Sequence, residues 1–361
     1  MVTGIEDVAR HAGVSKATVS RALSGHGYVA EPTRLRVVAA ASALGYVVSS
    51  SASSLVTGRT NNVGVLMPVI NQWFFASILE GVETALLTAG YDVMLYNLTK
   101  SEEARSRVFE YFLVRKRVDA IIAVTLEITP TESRSLLGLG KPIVGIGGAL
   151  AGIPTLSIDD VAAGQLATEH LIALGHTNIM HVGGDPNEVR SFRMHAKRLL
   201  GFVTAMSAAG LPLRQEHYEV AQFDIPGGYA AGRQILGDPR RRPSAIFAAA
   251  DELAIGIILA ARELGILVPE ELSVIGVDDH PLAAMFGLTS IAQRPDEQGA
   301  AAVALVLAQL PRGAGAGGAG PGAPFDLLAL PSPPTHTMIP ANLVVRASTS
   351  APRHRGLSAT G

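Results

Sequence analysis

The stretch that decides the fold lies near the amino terminus and reads TGIEDVARHAGVSKATVSRAL, residues 3–23. Thr3 or Gly4 can serve as the N-cap of a first helix, because an acidic residue, Glu6 or Asp7, follows three positions later. Apolar residues then recur at helical spacing. Since Gly13 tolerates the positive φ of a tight turn, the pattern predicts two short helices joined at that glycine.

The second helix of this pair is predicted to combine an apolar face with a polar one. Ser15 is placed to cap it. Its inward face consists of three apolar residues, Val19, Ala22 and Leu23. Its outward face consists of small, polar or basic residues, Lys16, Ala17, Ser20 and Arg21. Such a surface suits the major groove of DNA.

A third helix is predicted from Pro32 to Leu44, because proline favours a first helical turn and Gly45 suits the position after the helix. Its inner side is expected to consist of four apolar residues, Leu35, Val38, Ala41 and Leu44. Three helices of this size predict an all-α headpiece of helix-turn-helix type. Similar helical hairpins occur in proteins that never bind DNA, so the charge distribution has to decide between the two interpretations.

Charge is unevenly distributed along the chain. Residues 1–60 contain six basic and three acidic side chains, whereas the remainder contains 23 basic and 28 acidic ones. A basic end on a neutral-to-acidic body is typical of a module that contacts phosphates. The charge distribution therefore favours DNA binding.

Composition excludes several other classes of protein. The 361 residues contain no cysteine, which rules out disulfides, cysteine-based zinc sites and thiol catalysis. Charged residues interrupt the first apolar residues, and no apolar run approaches the roughly 18 residues of a membrane span. We therefore expect a soluble, cytoplasmic protein. With 48% hydrophobic residues, the chain beyond the headpiece can form two further lobes.

Short apolar segments alternate with helix-like segments from residue 62 onward. The candidate strands are residues 63–67, 92–95, 120–124, 143–146, 179–182, 218–220, 245–248, 273–277 and a last one near 343–345. The candidate helices are residues 74–89, 101–117, 131–138, 161–174, 193–209, 226–237, 251–264 and 295–309. This alternation predicts two doubly wound parallel α/β sheets. A ligand is expected in a cleft between them, at the carboxyl ends of the strands.

Four segments together resemble the lactose-repressor (LacI/GalR) family of bacterial transcription regulators. They read IEDVARHAGVSKATVSRAL, VAEPTRLRVVAAASALGY, LVTGRTNNVGVLMPVI and FAAADELAIGIILAARELGILVPEELSVIGVDD. The match runs from about Ile5 to Arg346. It implies a repressor, a homodimer on a pseudo-palindromic operator, whose DNA affinity is switched by a small metabolite, often a sugar or nucleoside. A soluble receptor of periplasmic-binding-protein type, without DNA regulation, is the alternative.

The resemblance also implies domain boundaries. A helix-turn-helix domain over 1–46 is followed by a hinge helix or linker over 47–60 and a two-lobed, periplasmic-binding-protein-like core over 61–346. The expected lobes are an N-lobe of about 61–159 with 288–310 and a C-lobe of about 160–287 with 325–346. The Gly/Ala/Pro-rich residues 311–324 are expected to form a flexible insertion and residues 347–361 a disordered tail. The tail has no leucine heptad, which favours a dimer over a tetramer.

DNA contacts follow from the same resemblance. Three residues fall where the family reads base edges: Lys16, Ala17 and Arg21. Five fall where it touches phosphates: Ser15, Thr18, Ser20, Tyr28 and Thr33. Leu55 falls on the hinge leucine that wedges into the minor groove. Val48 stands where the family usually has proline, and the serine-rich hinge around it favours helix less than most.

The expected effector contacts are Phe74, Phe75, Arg198, Asp251 and Asp278. The two phenylalanines fit a ring-stacking role and a core role equally well. A guanidinium at 198 can hold hydroxyls or carboxylates, and a carboxylate at 278 can accept hydrogen bonds from a sugar. Ala250 and the pair Gly147–Gly148 replace residues that are polar or charged in many relatives.

Enzyme chemistry is not expected. The glycine-rich strand ends lack the spacing of phosphate-binding loops, so no cofactor is predicted. Asp278, Asp279 and His280 are adjacent on an extended chain and have no second histidine at a suitable spacing, so no metal site is predicted. Asp279 is equally suited to capping the following turn.

Overall fold

The structure, a computed structural model, describes residues 4–24, 27–46, 59–98, 101–115, 117–126, 128–148, 150–187, 194–310 and 335–353. The described residues form two compact units, one containing the amino-terminal helices and the other containing both β-sheets. Most of the expected hinge, including Leu55 and Val48, lies outside the described residues, as do the insertion 311–324 and the last eight residues of the chain.

In its described residues the headpiece contains three helices, α1 (Ile5–Ala12), α2 (Lys16–Ser24) and α3 (Glu31–Ala43). The backbone N–H of Gly4 donates to Asp7 Oδ2 at 3.0 Å, and Gly13 ends α1 with a φ of +66°. Ser15 Oγ accepts from the backbone N–H of Thr18 at 3.1 Å. The predicted helix start at Gly4, the turn at Gly13 and the cap at Ser15 are therefore confirmed.

A small apolar core joins these helices, with Val8, Val19 and Val37 fully buried. The inner side predicted for α3 is partly wrong, because Leu35 and Val38 are 61% and 48% exposed. The buried residues of α3 are instead Val37, Ala40 and Ala41. The buried face of α3 is therefore rotated from the predicted one and shares Ala41 with it.

The core contains helices and strands in alternation. Its strands in the described residues are β1 (Asn62–Met67), β2 (Asp92–Asn97), β3 (Ala120–Val124), β4 (Ile143–Ile146), β5 (Thr155–Ser157), β6 (Ile179–Gly183), β7 (Tyr218–Val220), β8 (Ala245–Ala248), β9 (Ser273–Asp278), β10 (Thr289–Ala292), β11 (His336–Met338) and β12 (Asn342–Val344). Its α-helices are α4 (Trp73–Thr88), α5 (Glu102–Arg107), α6 (Pro130–Gly138), α7 (Asp160–Ala173), α8 (Met194–Ala208), α9 (Ile225–Leu236), α10 (Asp251–Glu263), α11 (Pro281–Phe286) and α12 (Pro295–Ala308). The predicted helix 101–117 is broken, since a π-helical turn over Val108–Phe112 and a 3₁₀ turn over Leu113–Arg115 follow α5.

Two six-stranded sheets form the two lobes. The N-lobe sheet has the order β11-β5-β4-β3-β1-β2 and the C-lobe sheet the order β12-β10-β9-β8-β6-β7. Neighbouring strands from β11 to β1 are parallel, as are those from β10 to β7, and β12 is antiparallel to β10. The central strands are apolar on both faces because helices cover both sides. The predicted doubly wound architecture is confirmed.

Among the described strands and helices, the chain crosses between the lobes after β5, after β10 and after β11. The lobe boundaries expected from the sequence therefore need two corrections. β10 belongs to the C-lobe sheet, so the expected N-lobe segment 288–310 contributes only α12, which packs on α4. β11 belongs to the N-lobe sheet, although residues 325–346 were expected in the C-lobe.

The expectation of a disordered tail over 347–361 is wrong for residues 347–353. Ser348 is buried, its Oγ donates to Val274 O at 2.6 Å, and its backbone oxygen accepts from Val274 N at 2.8 Å. Ser350 N donates to Ser273 Oγ at 3.0 Å. Serine hydroxyls satisfy polar groups of the C-lobe here, which a polar, low-complexity composition does not reveal.

Candidate functional sites

The outward face of α2 is accessible. Ser15, Lys16, Ala17, Ser20 and Arg21 are exposed, and Thr18 is half-buried beside Ser15. Tyr28 is 90% exposed, and Thr33 lies half-buried in the first turn of α3. The described residues expected to contact DNA thus have small, hydroxyl-bearing or basic side chains. Most lie on α2, whereas Ser15 precedes that helix, Tyr28 follows it and Thr33 lies in α3.

Local contacts hold the two basic side chains of α2. Lys16 Nζ pairs with Glu6 Oε1, and both side chains are more than half exposed. Arg21 Nε donates to Ala17 O at 3.2 Å. An exposed ion pair contributes only about 0–1 kcal/mol, so phosphate or base contacts can replace it at little cost.

A cavity of about 360 Å³ lies between the two lobes. Its walls include residues at or just after the carboxyl ends of both sheets, among them Pro68 after β1, Thr125 after β3 and Gly147 after β4 from the N-lobe. Asp278 closes β9 on the C-lobe side, and Gln293 follows β10 in a crossover. The expected position of the ligand site, in a cleft at the strand ends, corresponds to this cavity.

Aromatic side chains form one wall of the cavity. Trp73, Phe74 and Phe75 open α4, and the two phenylalanine rings meet edge to face with centroids 5.4 Å apart. Both phenylalanines also pack against the N-lobe core, so they serve the core and the cavity wall together. Trp73 contacts His280 of the C-lobe with ring centroids 4.7 Å apart. Rings at this place suit the flat, apolar face of a sugar or a base.

Arg198 is 3% exposed and lines the C-lobe side of the cavity. Its Nε donates to Asp160 Oδ1 at 3.0 Å, and its Nη1 donates to the backbone oxygen of Ala249. Asp160 is also buried and opens α7, where the positive end of the helix favours a carboxylate. The arginine is therefore fixed before any ligand arrives, which suits a preorganised binding group.

Two buried carboxyl groups lie close together on the C-lobe side of the cavity. Asp278 lines the cavity wall, and Asp251 lies behind it. Burial, together with the nearby charge of Asp278, raises the pKa of Asp251 to about 8. Burial raises the pKa of Asp278 to about 7, although Arg198 and a hydrogen bond from Gln293 act in the opposite direction. Both carboxyl groups therefore favour their protonated forms more than a free aspartate does, chiefly because burial disfavours the charged forms.

Asp251 differs from the other expected effector contacts, because it does not line the cavity. It is fully buried, its Oδ1 accepts from Ser290 Oγ at 2.7 Å and its Oδ2 accepts from His280 N at 2.8 Å. These bonds tie the start of α10 to β10 and to the segment before α11. The structure places Phe74, Phe75, Arg198 and Asp278 around one cavity and leaves Asp251 behind its wall.

Sequence reasoning did not single out several other residues of the cavity wall. They are Gln72, Thr125, Ser157, Asp160, Met194, His195, Phe223, Glu252, Gln293 and Gln298. Burial lowers the pKa of His195 to about 4, with Arg198 acting in the same direction, so its imidazole is neutral at neutral pH. Burial raises the pKa of Glu252. For Thr125 the sequence offers one signal, its position directly after the predicted strand 120–124. Gln293 follows β10, a strand that was not predicted from the sequence.

Asp279 does not act with Asp278 as a paired site. Its Oδ1 accepts from Arg346 Nη2 at 2.6 Å, and the next residue, His280, caps α11 by accepting from Leu282 N at 3.0 Å. Within the described ranges, no group of three or more histidine or acidic side chains is placed to hold a metal ion. In the same ranges no helix combines the length and apolarity needed to cross a bilayer.

Comparisons with known proteins agree with this architecture. Residues 4–49 match the lacI family of bacterial regulatory proteins, and residues 168–349 match the periplasmic binding protein-like domain. Catabolite control protein A of Priestia megaterium is 33% identical over 307 residues, covering 84% of this chain and 91% of that protein. This chain is a member of the lacI family.

Two further similarities support the assignment. The HTH-type transcriptional repressor PurR of Yersinia pestis (strain Pestoides F) is 36% identical over 313 residues, covering 84% of this chain and 89% of that repressor. The solved complex of the transcriptional regulator CelR with cellobiose has a TM-score of 0.66 and 27% identity, and covers 96% of this LacI-family chain and 99% of CelR. The chain is thus a DNA-binding transcriptional regulator under effector control, not an enzyme and not a stand-alone receptor.

Proposed function

We propose that this LacI-family regulator is a cytoplasmic homodimeric repressor whose affinity for a pseudo-palindromic operator changes when a sugar or nucleoside binds in the interlobe cavity. The observation that carries the effector assignment is the cavity itself, which combines an aromatic wall with buried hydrogen-bonding groups. A ring with hydroxyl groups on its edge matches both features. The solved CelR complex, which contains cellobiose, gives an example from a related regulator.

Binding is expected to change the relation between the lobes, because the effector contacts both of them. Phe74 and Phe75 belong to the N-lobe, whereas Arg198 and Asp278 belong to the C-lobe. An effector that bridges these residues favours the closed arrangement by its differential affinity. A coupling of roughly 1–3 kcal/mol to operator binding is typical of such systems.

The effector assignment is tested with a defined panel of ribose, glucose, cellobiose, adenosine and cytidine. A compound that binds only the folded protein raises its melting temperature by mass action. We expect at least one member to do so and to change the affinity of the full-length protein for its operator at fixed salt. If every member leaves both quantities unchanged, sugars and nucleosides of this kind are excluded.

On the DNA side, we propose that Lys16, Ala17 and Arg21 read base edges in the major groove. Arginine can bond guanine through two hydrogen bonds, lysine through one, and the alanine methyl can contact a thymine methyl. The hydroxyl groups near them would bind phosphates and position the helix, namely those of Ser15, Thr18, Ser20, Tyr28 and Thr33. The exposure of α2 and Tyr28 supports these roles.

Replacing Arg21 with alanine should weaken binding to the operator about 10- to 100-fold, because one bidentate base contact contributes roughly 1–3 kcal/mol. Affinity for an unrelated duplex should change much less. The measurement is a titration of both duplexes at one salt concentration, with the operator selected by the wild-type protein from genomic fragments. Tyr28→Phe is the matched control, since loss of a phosphate contact should weaken both duplexes alike. Equal losses for both duplexes in Arg21→Ala would contradict a base-reading role.

A dimer follows from the size of the recognition surface. α2 has nine residues and can contact only a few base pairs, so two copies related by a two-fold axis are needed for a specific site. We further propose that Leu55, which lies outside the described residues, inserts into the minor groove at the centre of that site. The serine-rich segment around it would then become helical on the operator.

A further inference from the structure

Thr125 has an unusual backbone for a β-branched residue. It follows β3 and lines the cavity with a φ of +44°, in the left-handed region that threonine rarely adopts. Its N–H donates to Ile146 O at 2.7 Å, a bond that fixes this conformation. Asp278, on the opposite side of the cavity, also has a positive φ. Strained residues of this kind persist where the fold imposes them and concentrate at ligand sites.

The hydroxyl group of Thr125 is buried and has no hydrogen-bond partner among the described residues. Gly147 stands next to it with a φ of +109°, and a Cβ at that position would lie 2.9 Å from Thr125 Oγ1. The glycine therefore leaves the space that the hydroxyl occupies. Since a buried hydroxyl without a partner is unfavourable, the unliganded protein carries a cost that a ligand can remove. To reach a ligand, Oγ1 has to turn about the Cα–Cβ bond toward the cavity, and this rotation breaks no hydrogen bond within the described residues.

Two other polar side chains near this side of the cavity already have partners. Ser157 Oγ donates to Ile158 O at 2.9 Å, and Gln298 Nε2 donates to Gln293 O at 2.6 Å. The charged side chains of the described wall belong to the C-lobe, and they are Asp160, Arg198, Glu252 and Asp278. The part of a ligand that faces Thr125 thus meets an uncharged surface. The hydroxyl group of Thr125 on this surface can form a new hydrogen bond.

We propose that Thr125 determines effector specificity by forming a hydrogen bond with an uncharged polar group, a hydroxyl or a carbonyl, on the N-lobe side of the bound effector. This inference rests on the proposed function. A hydroxyl side chain both donates and accepts, so it recognises either group. A ligand that presents only hydrocarbon at this position leaves the threonine hydroxyl unpaired and binds more weakly.

The test compares Thr125→Val with Thr125→Ser in the full-length protein. Valine keeps the shape and β-branching of threonine but has no hydroxyl, whereas serine keeps the hydroxyl. For the panel compound that stabilises the wild type, we expect Thr125→Val to weaken binding about tenfold, as for one lost hydrogen bond. Thr125→Ser should bind with wild-type affinity. Calorimetric titration gives the affinities, and urea unfolding gives the stability of the unliganded proteins.

The unliganded proteins separate a ligand contact from a structural role. Because the hydroxyl has no protein partner to lose, the urea midpoint of Thr125→Val should equal or exceed that of the wild type. A lower midpoint for Thr125→Val, or unchanged affinity for the compound, would overturn the proposal. If no panel compound stabilises the wild type, the proposed effector class fails and this inference fails with it. If a compound binds the wild type and Thr125→Ser equally well and binds Thr125→Val more weakly, the proposed effector class and this inference are both supported.

Discussion

Replacing Arg198 with methionine should lower the free energy of unfolding by about 3–5 kcal/mol, because the change leaves the carboxylate of Asp160 buried without its partner. Both side chains are almost fully buried, and their ion pair has a distance of 3.0 Å. The backbone oxygen of Ala249 also loses a donor. Urea unfolding of the unliganded protein measures this loss. A midpoint close to that of the wild type would mean that water reaches Asp160.

A second variant separates stability from effector binding. Combining Arg198→Met with Asp160→Asn removes the uncompensated charge, so most of the lost stability should return. Binding of the stabilising panel compound should remain weak, since the guanidinium is still missing from the cavity wall. If the double variant binds the compound as the wild type does, Arg198 has a structural role only.

Replacing Asp278 with asparagine should stabilise the protein at alkaline pH by about 1–3 kcal/mol. The folded-state pKa values of Asp251 and Asp278 are raised to about 8 and about 7, so the native state binds more protons than the unfolded state. The contribution of this pair is fully present below about pH 4 and is lost as the pH rises through 7 and 8. Asparagine cannot ionise, and its oxygen can still accept from Gln293.

The difference between Asp278→Asn and the wild type should be small at pH 5 and large at pH 9. Taking this difference cancels the contribution of other groups, such as His181, whose pKa burial lowers to about 3. Asp92→Asn, a change at an exposed carboxylate, serves as the control and should follow the wild-type curve. A constant difference between Asp278→Asn and the wild type from pH 5 to 9 would contradict a raised pKa of Asp278 in the folded protein.

Local signals were sufficient for most of the headpiece. The cap at Ser15, the turn at Gly13 and the buried Val19 each depend on residues within one or two helical turns. The predicted inner face of α3 is wrong at Leu35 and Val38, because these residues fit helical spacing as well as the buried Val37 and Ala40 do. Which of the two apolar faces is buried depends on how α3 packs against α1 and α2, and that information comes from the tertiary structure.

The core was predictable in its architecture and less so in its connections. Strands β5, β10 and β11 were missed, because each has four residues or fewer and carries polar or mixed side chains. Helix α11 was missed because its six apolar residues are too few to show a helical period. Their pairing partners lie far away in the sequence: β11, for example, pairs with β5. No local pattern encodes such long-range pairing, so the lobe boundaries were misplaced there.

Part of the effector cavity could be predicted because its strand ends and its arginine match the family. The sequence did not predict that Asp251 bonds inside the C-lobe, and it did not predict the contact proposed for Thr125. Asp251 is followed at once by a cavity residue, Glu252, yet its own carboxylate turns toward Ser290 and His280. In the sequence, Thr125 resembles any threonine that follows a strand. Its positive φ and the space that Gly147 leaves for its hydroxyl are seen only in the structure.

The three crossovers have a consequence for synthesis on the ribosome. The N-lobe begins at β1, yet its sheet is completed only by β11, which lies after the whole C-lobe sheet except β12. Its helix α12 is likewise translated after β10. Proteins usually fold domain by domain as they emerge. Here the lobe translated first stays unfinished until most of the second has been made. The cavity wall, which includes Gln298 of α12, is likewise complete only after β10 has been translated.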